Sequence, residues 1–126
     1  MKLKNIKIAT ILPYKENYTH SKASAASLWV SEFFKKSRFR NNNYIFGSTL
    51  DNDYLSKNYI NIELKNIKSK FKSTTSEYLK KLIKKIDKKN FDIIEVHNRP
   101  LILEHLIKKI SMKPIFFLIL SNPHMF

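Results

Sequence analysis

The chain has 126 residues, enough for one domain with a real core, and no cysteine, which excludes a disulfide framework and a thiolate metal site. No apolar run approaches the ~18 residues of a membrane span, and the basic start Met1-Lys2-Leu3-Lys4 is followed by a stretch broken at Asn5 and Lys7, which does not suit a signal peptide; the cytoplasm is the expected compartment, with peripheral contact at the inner membrane face left open. The formal charge of +14 invites anionic partners, although plentiful Lys, Asn and Ile beside only Arg38, Arg40 and Arg99 reads equally as compositional drift.

In chain order, residues 6–12 read as a first strand through Ile6, Ile8, Ala9, Ile11 and Leu12, ended by Pro13. A polar loop over 13–22 carries two tyrosines, Glu16 and His20. Ser24 is placed to cap a helix reaching about Lys36, with Ala25, Leu28, Trp29, Val30, Phe33 and Phe34 as its apolar face. Residues 38–43 form a polar connector, Tyr44-Ile45-Phe46 a short strand closed by Gly47, 51–58 a turn, 59–64 a further strand and 65–72 a basic loop. Thr74-Thr75-Ser76-Glu77 matches a capping box, with Thr74 as the cap, and opens a helix to about Lys89. Tyr78, Leu79, Leu82, Ile83 and Ile86 form its core side, and Lys80, Lys81, Lys84, Lys85, Lys88 and Lys89 its opposite side.

The stretch that organises the rest is Phe91-Asp92-Ile93-Ile94-Glu95-Val96-His97-Asn98-Arg99-Pro100. Ile93, Ile94 and Val96 suit a strand buried on both faces; Asn98 is a good N-cap and Pro100 fits a first helical turn. A helix follows with Leu101, Ile102, Leu103, Leu106, Ile107 and Ile110 apolar, then a last strand over 115–120 and a turn at Ser121-Asn122-Pro123. This alternation predicts a single α/β domain over 1–126, Rossmann-like, with a mostly parallel sheet and helices on both faces. No helix follows the last strand, so the chain reads as incomplete at that end.

Ligands of open α/β sheets bind at the carboxyl ends of strands, which singles out the polar end of this stretch. Glu95 and His97 project to the same side of the strand. His97 there can act as acid, base or substrate ligand, or be a loop histidine bonded to backbone. Glu95 can orient the imidazole or bind sugar hydroxyls, Asn98 is a further substrate-binding candidate, and Arg99 at a helix start can grip an anion. Glu16 and His20, in the first strand-to-helix loop, face the same edge. No metal is expected, since His97 and His105 have no third ligand at a suitable spacing, and no cofactor; a single glycine rules out G-x-G-x-x-G, the P-loop and the G-x-S-x-G elbow. The Lys80, Lys81, Lys84, Lys85 and Lys88 face is either a surface for anionic membrane or polyanion, or a solvated face. Nucleic acid is not expected as the partner, because the aromatics do not interleave with the basic residues.

Three strings carry a resemblance: Ile8-Ala9-Thr10-Ile11-Leu12-Pro13, Ala25-Ala26-Ser27-Leu28-Trp29-Val30 and, above all, Asp92-Ile93-Ile94-Glu95-Val96-His97-Asn98-Arg99-Pro100. They resemble the N-terminal, acceptor-side domain of GT-B glycosyltransferases of the large retaining family 4, the last string looking like a signature of bacterial members that build cell-surface polysaccharide. The resemblance spans the chain but only the leading part of a typical member. It implies a Rossmann-like domain that binds a saccharide or lipid-linked acceptor, with the nucleotide-sugar donor held mainly by a second, absent domain and catalysis in the cleft between them. The chain alone is therefore expected to be inactive. Family members carry a glycine-rich loop where this chain has Ser21-Lys22-Ala23-Ser24-Ala25-Ala26, and H-N-D-P where it has Leu120-Ser121-Asn122-Pro123. The alternative expectation is a non-enzymatic basic module that binds nucleic acid or anionic membrane.

Overall fold

A computed structural model describes residues 5–14, 16–64, 74–111 and 114–120. The expected basic loop over 65–72 and the turn at Ser121-Asn122-Pro123 lie outside them. The elements run β1 (Ile8–Ile11), α1 (Ala25–Lys36), a 3-10 turn (Arg40–Asn42), β2 (Asn43–Gly47), β3 (Tyr59–Asn61), α2 (Thr74–Asp87), β4 (Ile93–His97), α3 (Pro100–Lys109) and β5 (Ile115–Ile119). The strands form one five-stranded sheet in the order β3-β2-β1-β4-β5, every pair parallel. The α/β Rossmann-like architecture is thus present, and the sheet is wholly parallel among the described residues.

Register assigns each side chain to a face. Thr10 pairs with Ile45 and Glu95, and Glu95 with Phe117, while Ile11 pairs with Phe46 and Val96. Alternation therefore puts Ala9, Ile11, Phe46, Ile94 and Val96 on one side. There they pack with Tyr78, Leu79, Leu82 and Ile86 of α2 and Ile102 and Leu106 of α3 in the larger core. The other side carries Leu12 and Ile45, which pack with Val30 of α1 and with Tyr18 and Tyr59. Gly47 ends β2 by making room: a Cβ there would lie 2.8 Å from the Tyr59 hydroxyl oxygen.

Several local expectations change. Ser24 does cap α1, its Oγ accepting from the Ser27 N–H at 3.1 Å. Yet the side of α1 against the sheet is Ser27, Val30 and Ser31, and Leu28, Trp29 and Phe33 are about half exposed. Small side chains let the helix approach the strands, which turns the larger ones outward. Leu101 and Ile107, part of the apolar pattern of α3, are 67% and 53% exposed. Thr74 already belongs to α2, so it is not the cap outside it. Asn98 is not the cap of α3 either: Arg99 takes that place, without a side-chain cap bond, and Pro100 follows at the first turn. No helix among the described residues is long and apolar enough to cross a membrane.

Candidate functional site

In this sheet order β1 is the strand where connections change direction: α1 leads from it towards β2, and α2 returns on the opposite face to β4. The crevice between the carboxyl ends of β1 and β4 is the topological switch point. Glu95 and His97 lie on the α1 side of β4, as the period of two requires. His97 is 4% exposed, its ring 5.7 Å from that of Trp29 and tilted by 59°. Burial drives its pKa down to about 4, so the imidazole is neutral at physiological pH. It can exchange hydrogen bonds with a hydroxyl, but it is a weak base there. Burial likewise raises the Glu95 carboxyl, and no hydrogen bond or ion pair among the described residues offsets it.

After His97 the backbone turns sharply. Asn98 takes φ 57, the left-handed region that Asn tolerates better than most side chains, while its N–H donates to the Ile119 carbonyl at 2.9 Å. That conformation removes Asn98 from the capping geometry and leaves Arg99, exposed, beside the first turn of α3. The free N–H groups of such a turn attract anions.

Glu16 and His20 share this sheet edge, but no hydrogen bond or ion pair joins them to Glu95 or His97 among the described residues. Their loop is knitted instead to the one after β2. Thr19 bridges Tyr54, the His20 N–H donates to the Asp53 carbonyl at 2.9 Å, and the Leu55 N–H donates to Tyr18 at 3.2 Å. The Ser21 N–H donates to the Asp53 carboxylate at 2.8 Å. Desolvation opposes ionisation of Asp53, but the hydrogen bonds from Ser21, with its own backbone N–H and nearby His20, together outweigh it and hold the pKa below the usual value. His20 is exposed and Glu16 half-buried.

Where those loops meet the end of β3, a cleft of about 600 Å³ opens on the carboxyl edge, its lining including Tyr14, Asn17, Thr49, Asp51, Tyr54 and Glu63. Asn61 braces its wall. The Asn61 Oδ1 accepts from the Thr49 N–H at 2.8 Å and from the Tyr59 hydroxyl at 3.0 Å, and its Nδ2 donates to the Thr49 carbonyl at 3.2 Å. Hydroxyls, amides and carboxylates beside two tyrosine rings suit a polyhydroxylated ligand, with the rings able to cover the apolar face of a sugar. Residue-by-residue reading passed over Asn17, Thr49 and Asn61. The signal available was topological, since the carboxyl ends of parallel strands share one edge and the polar residues after β1, β2 and β3 have to converge.

Two of the lysines reach this edge, Lys81 donating to the Glu63 carbonyl and Lys85 to that of Asn61. Lys80, Lys84 and Lys85 are exposed on α2, Lys88 is exposed in the turn after it, and Lys81 is half-buried. No group of three or more His, Cys, Asp or Glu able to hold a metal occurs among the described residues. No family model, curated protein or solved structure matches the chain.

Proposed function

We propose that this chain is the acceptor-side Rossmann-like domain of a GT-B retaining glycosyltransferase. The observation that carries the reading is the convergence, on one carboxyl edge, of the Glu95–His97 strand end at the switch point and a polar, tyrosine-walled cleft. In this reading the cleft and the β4 end receive a saccharide or a lipid-linked saccharide. Neutral His97 exchanges a hydrogen bond with a sugar hydroxyl. Glu95 accepts from another, and Arg99 with the first turn of α3 takes a nearby anionic group. The nucleotide-sugar donor is bound mainly by a second domain, and the transferred sugar keeps its anomeric configuration.

The test has two parts. Amide NMR of the purified chain, titrated with free hexoses and with a uridine diphosphate, should show hexose-dependent shifts at Asn17, Thr49, Asn61 and His97 that the diphosphate does not reproduce. Sugar transfer from nucleotide-sugar donors should stay at background for the chain alone. Hexose titrations that leave this edge untouched would overturn the acceptor-binding reading; measurable transfer by the purified chain would overturn the assignment of the donor site to another domain.

A further inference from the structure

Lys80 and Lys84 lie four apart on the outer side of α2, which stacks them one above the other, and Lys88 continues that stripe at the same spacing in the turn just past the helix end at Asp87. All three are exposed, and none makes an ion pair among the described residues. Like charges at this spacing repel, so the stripe burdens the helix unless an anionic surface lies against it. Next to the stripe, a groove of about 510 Å³ runs between α2 and α3. Leu79 and Ile83 form its apolar floor; Lys80, Lys84, His105 and Lys109 form a rim with no carboxylate in the lining. Leu101, 67% exposed, stands one helical turn before His105. Neighbouring lysines are already engaged. Lys81 and Lys85 donate to the Glu63 and Asn61 carbonyls at 2.6 and 3.3 Å, and Lys108 pairs with Glu104 at 3.1 Å.

We infer that the outer face of the α2–α3 layer docks onto an anionic phospholipid bilayer, with the Lys80–Lys84–Lys88 stripe and Lys109 set among the lipid phosphates and Leu101 against the headgroup boundary. Charge complementarity selects the partner, since an unpaired cationic stripe beside a carboxylate-free groove calls for fixed negative charge. The form of that charge follows from what the layer lacks. Neither helix contains arginine, and Tyr78, the one Phe, Tyr or Trp in them, is fully buried, so His105 is the one ring these helices offer for stacking on a base, and no side chain in them grips a phosphate bidentately. Two helices side by side on a sheet present instead a broad surface of lysines with apolar residues between them, which suits a plane of lipid phosphates. The inference is independent of the glycosyltransferase reading, because the carboxyl-edge cleft plays no part in it.

The test is vesicle co-sedimentation of the full chain with phosphatidylcholine alone and with equal parts phosphatidylglycerol and phosphatidylcholine. The Lys80→Gln/Lys84→Gln/Lys88→Gln variant keeps near-equal helix propensity. The control variant Lys35→Gln/Lys36→Gln/Lys57→Gln removes the same charge from the end of α1, on the other side of the sheet, and from the β2–β3 connection. The wild-type chain should bind the phosphatidylglycerol vesicles and not the neutral ones. The stripe variant should lose about a hundred-fold in partitioning, at roughly five-fold per lysine, with unchanged circular dichroism, while the control stays within about five-fold of wild type. The inference is overturned by equal loss in both variants, by no binding to anionic vesicles, by equal binding to neutral ones, or by tighter binding to an RNA or DNA oligonucleotide than to vesicles at the same salt.

Discussion

His97 and Glu95 tie the candidate site to pH in opposite senses. The His97 imidazole is held at about 4 against an unperturbed 6.5, so between those values the folded chain binds fewer protons than the unfolded one. Its contribution to stability is whole above the unfolded value and is lost as pH falls towards the folded one, about 3 kcal/mol in all. Glu95 is shifted upward, so its protonated form is the one the fold favours. Its contribution is whole below the unperturbed 4.5 and is lost as pH rises through the folded value. Glu95→Gln should therefore stabilise the chain at neutral pH, with the gain fading in acid, whereas His97→Asn should flatten the wild-type loss of stability towards about pH 5. Urea unfolding midpoints at the two pH values check both signs. An acid loss that persists in His97→Asn would remove His97 as its source.

Among the elements, the two sheet edges are protected unequally. The β3 edge is three residues long, and Lys81 and Lys85 donate to backbone carbonyls just beyond and at its end. β5 is the other edge, and Ile115-Phe116-Phe117-Leu118-Ile119 carries no charge, proline or glycine. Natural edges usually carry such guards, and an unguarded apolar strand templates pairing with other chains. On the α1 side, moreover, Val30 of α1 packs with Leu12, Ile45 and Tyr59, and Ile115 and Phe117 of β5 are 61% and 50% exposed. Ile115→Lys should lower concentration-dependent self-association in light scattering while shifting unfolding free energy by no more than about 0.5 kcal/mol, as expected for an exposed side chain. A large loss of stability would mean that Ile115 is covered in solution.

Across the whole molecule, the layers are joined at the edge that bears the site. The Tyr78 hydroxyl, on α2 and fully buried, donates to the Leu12 carbonyl at 2.6 Å, which ties the helix layer to the strand end from which the cleft-lining loop departs. Replacing Tyr78 by Phe keeps the ring but leaves that carbonyl without its donor, and should cost about 1–2 kcal/mol in urea unfolding. Loss of hexose-dependent NMR shifts at Asn17 in the same variant would indicate that this bond also positions the loop.

Much of this architecture follows from the residues in order. Apolar runs of β-branched residues, separated by helical periods, set the element sequence, because each pattern can bury its face in only one regular structure. Ser24 and Pro100 marked helix starts through local backbone chemistry, which needs no distant partner. Glu95 and His97 were legible as a same-side pair for the same reason. Other features depended on tertiary contact. Whether Trp29, Phe33, Leu101 or Ile107 is covered depends on which element packs beside it, and no helical period encodes that. Asn98 leaves the capping position because the turn out of β4 needs a left-handed residue while its N–H is held by β5. The cleft needed the complete strand order, since Asn17, Thr49 and Asn61 are far apart in the chain and meet only because parallel strands bring their carboxyl ends to one edge.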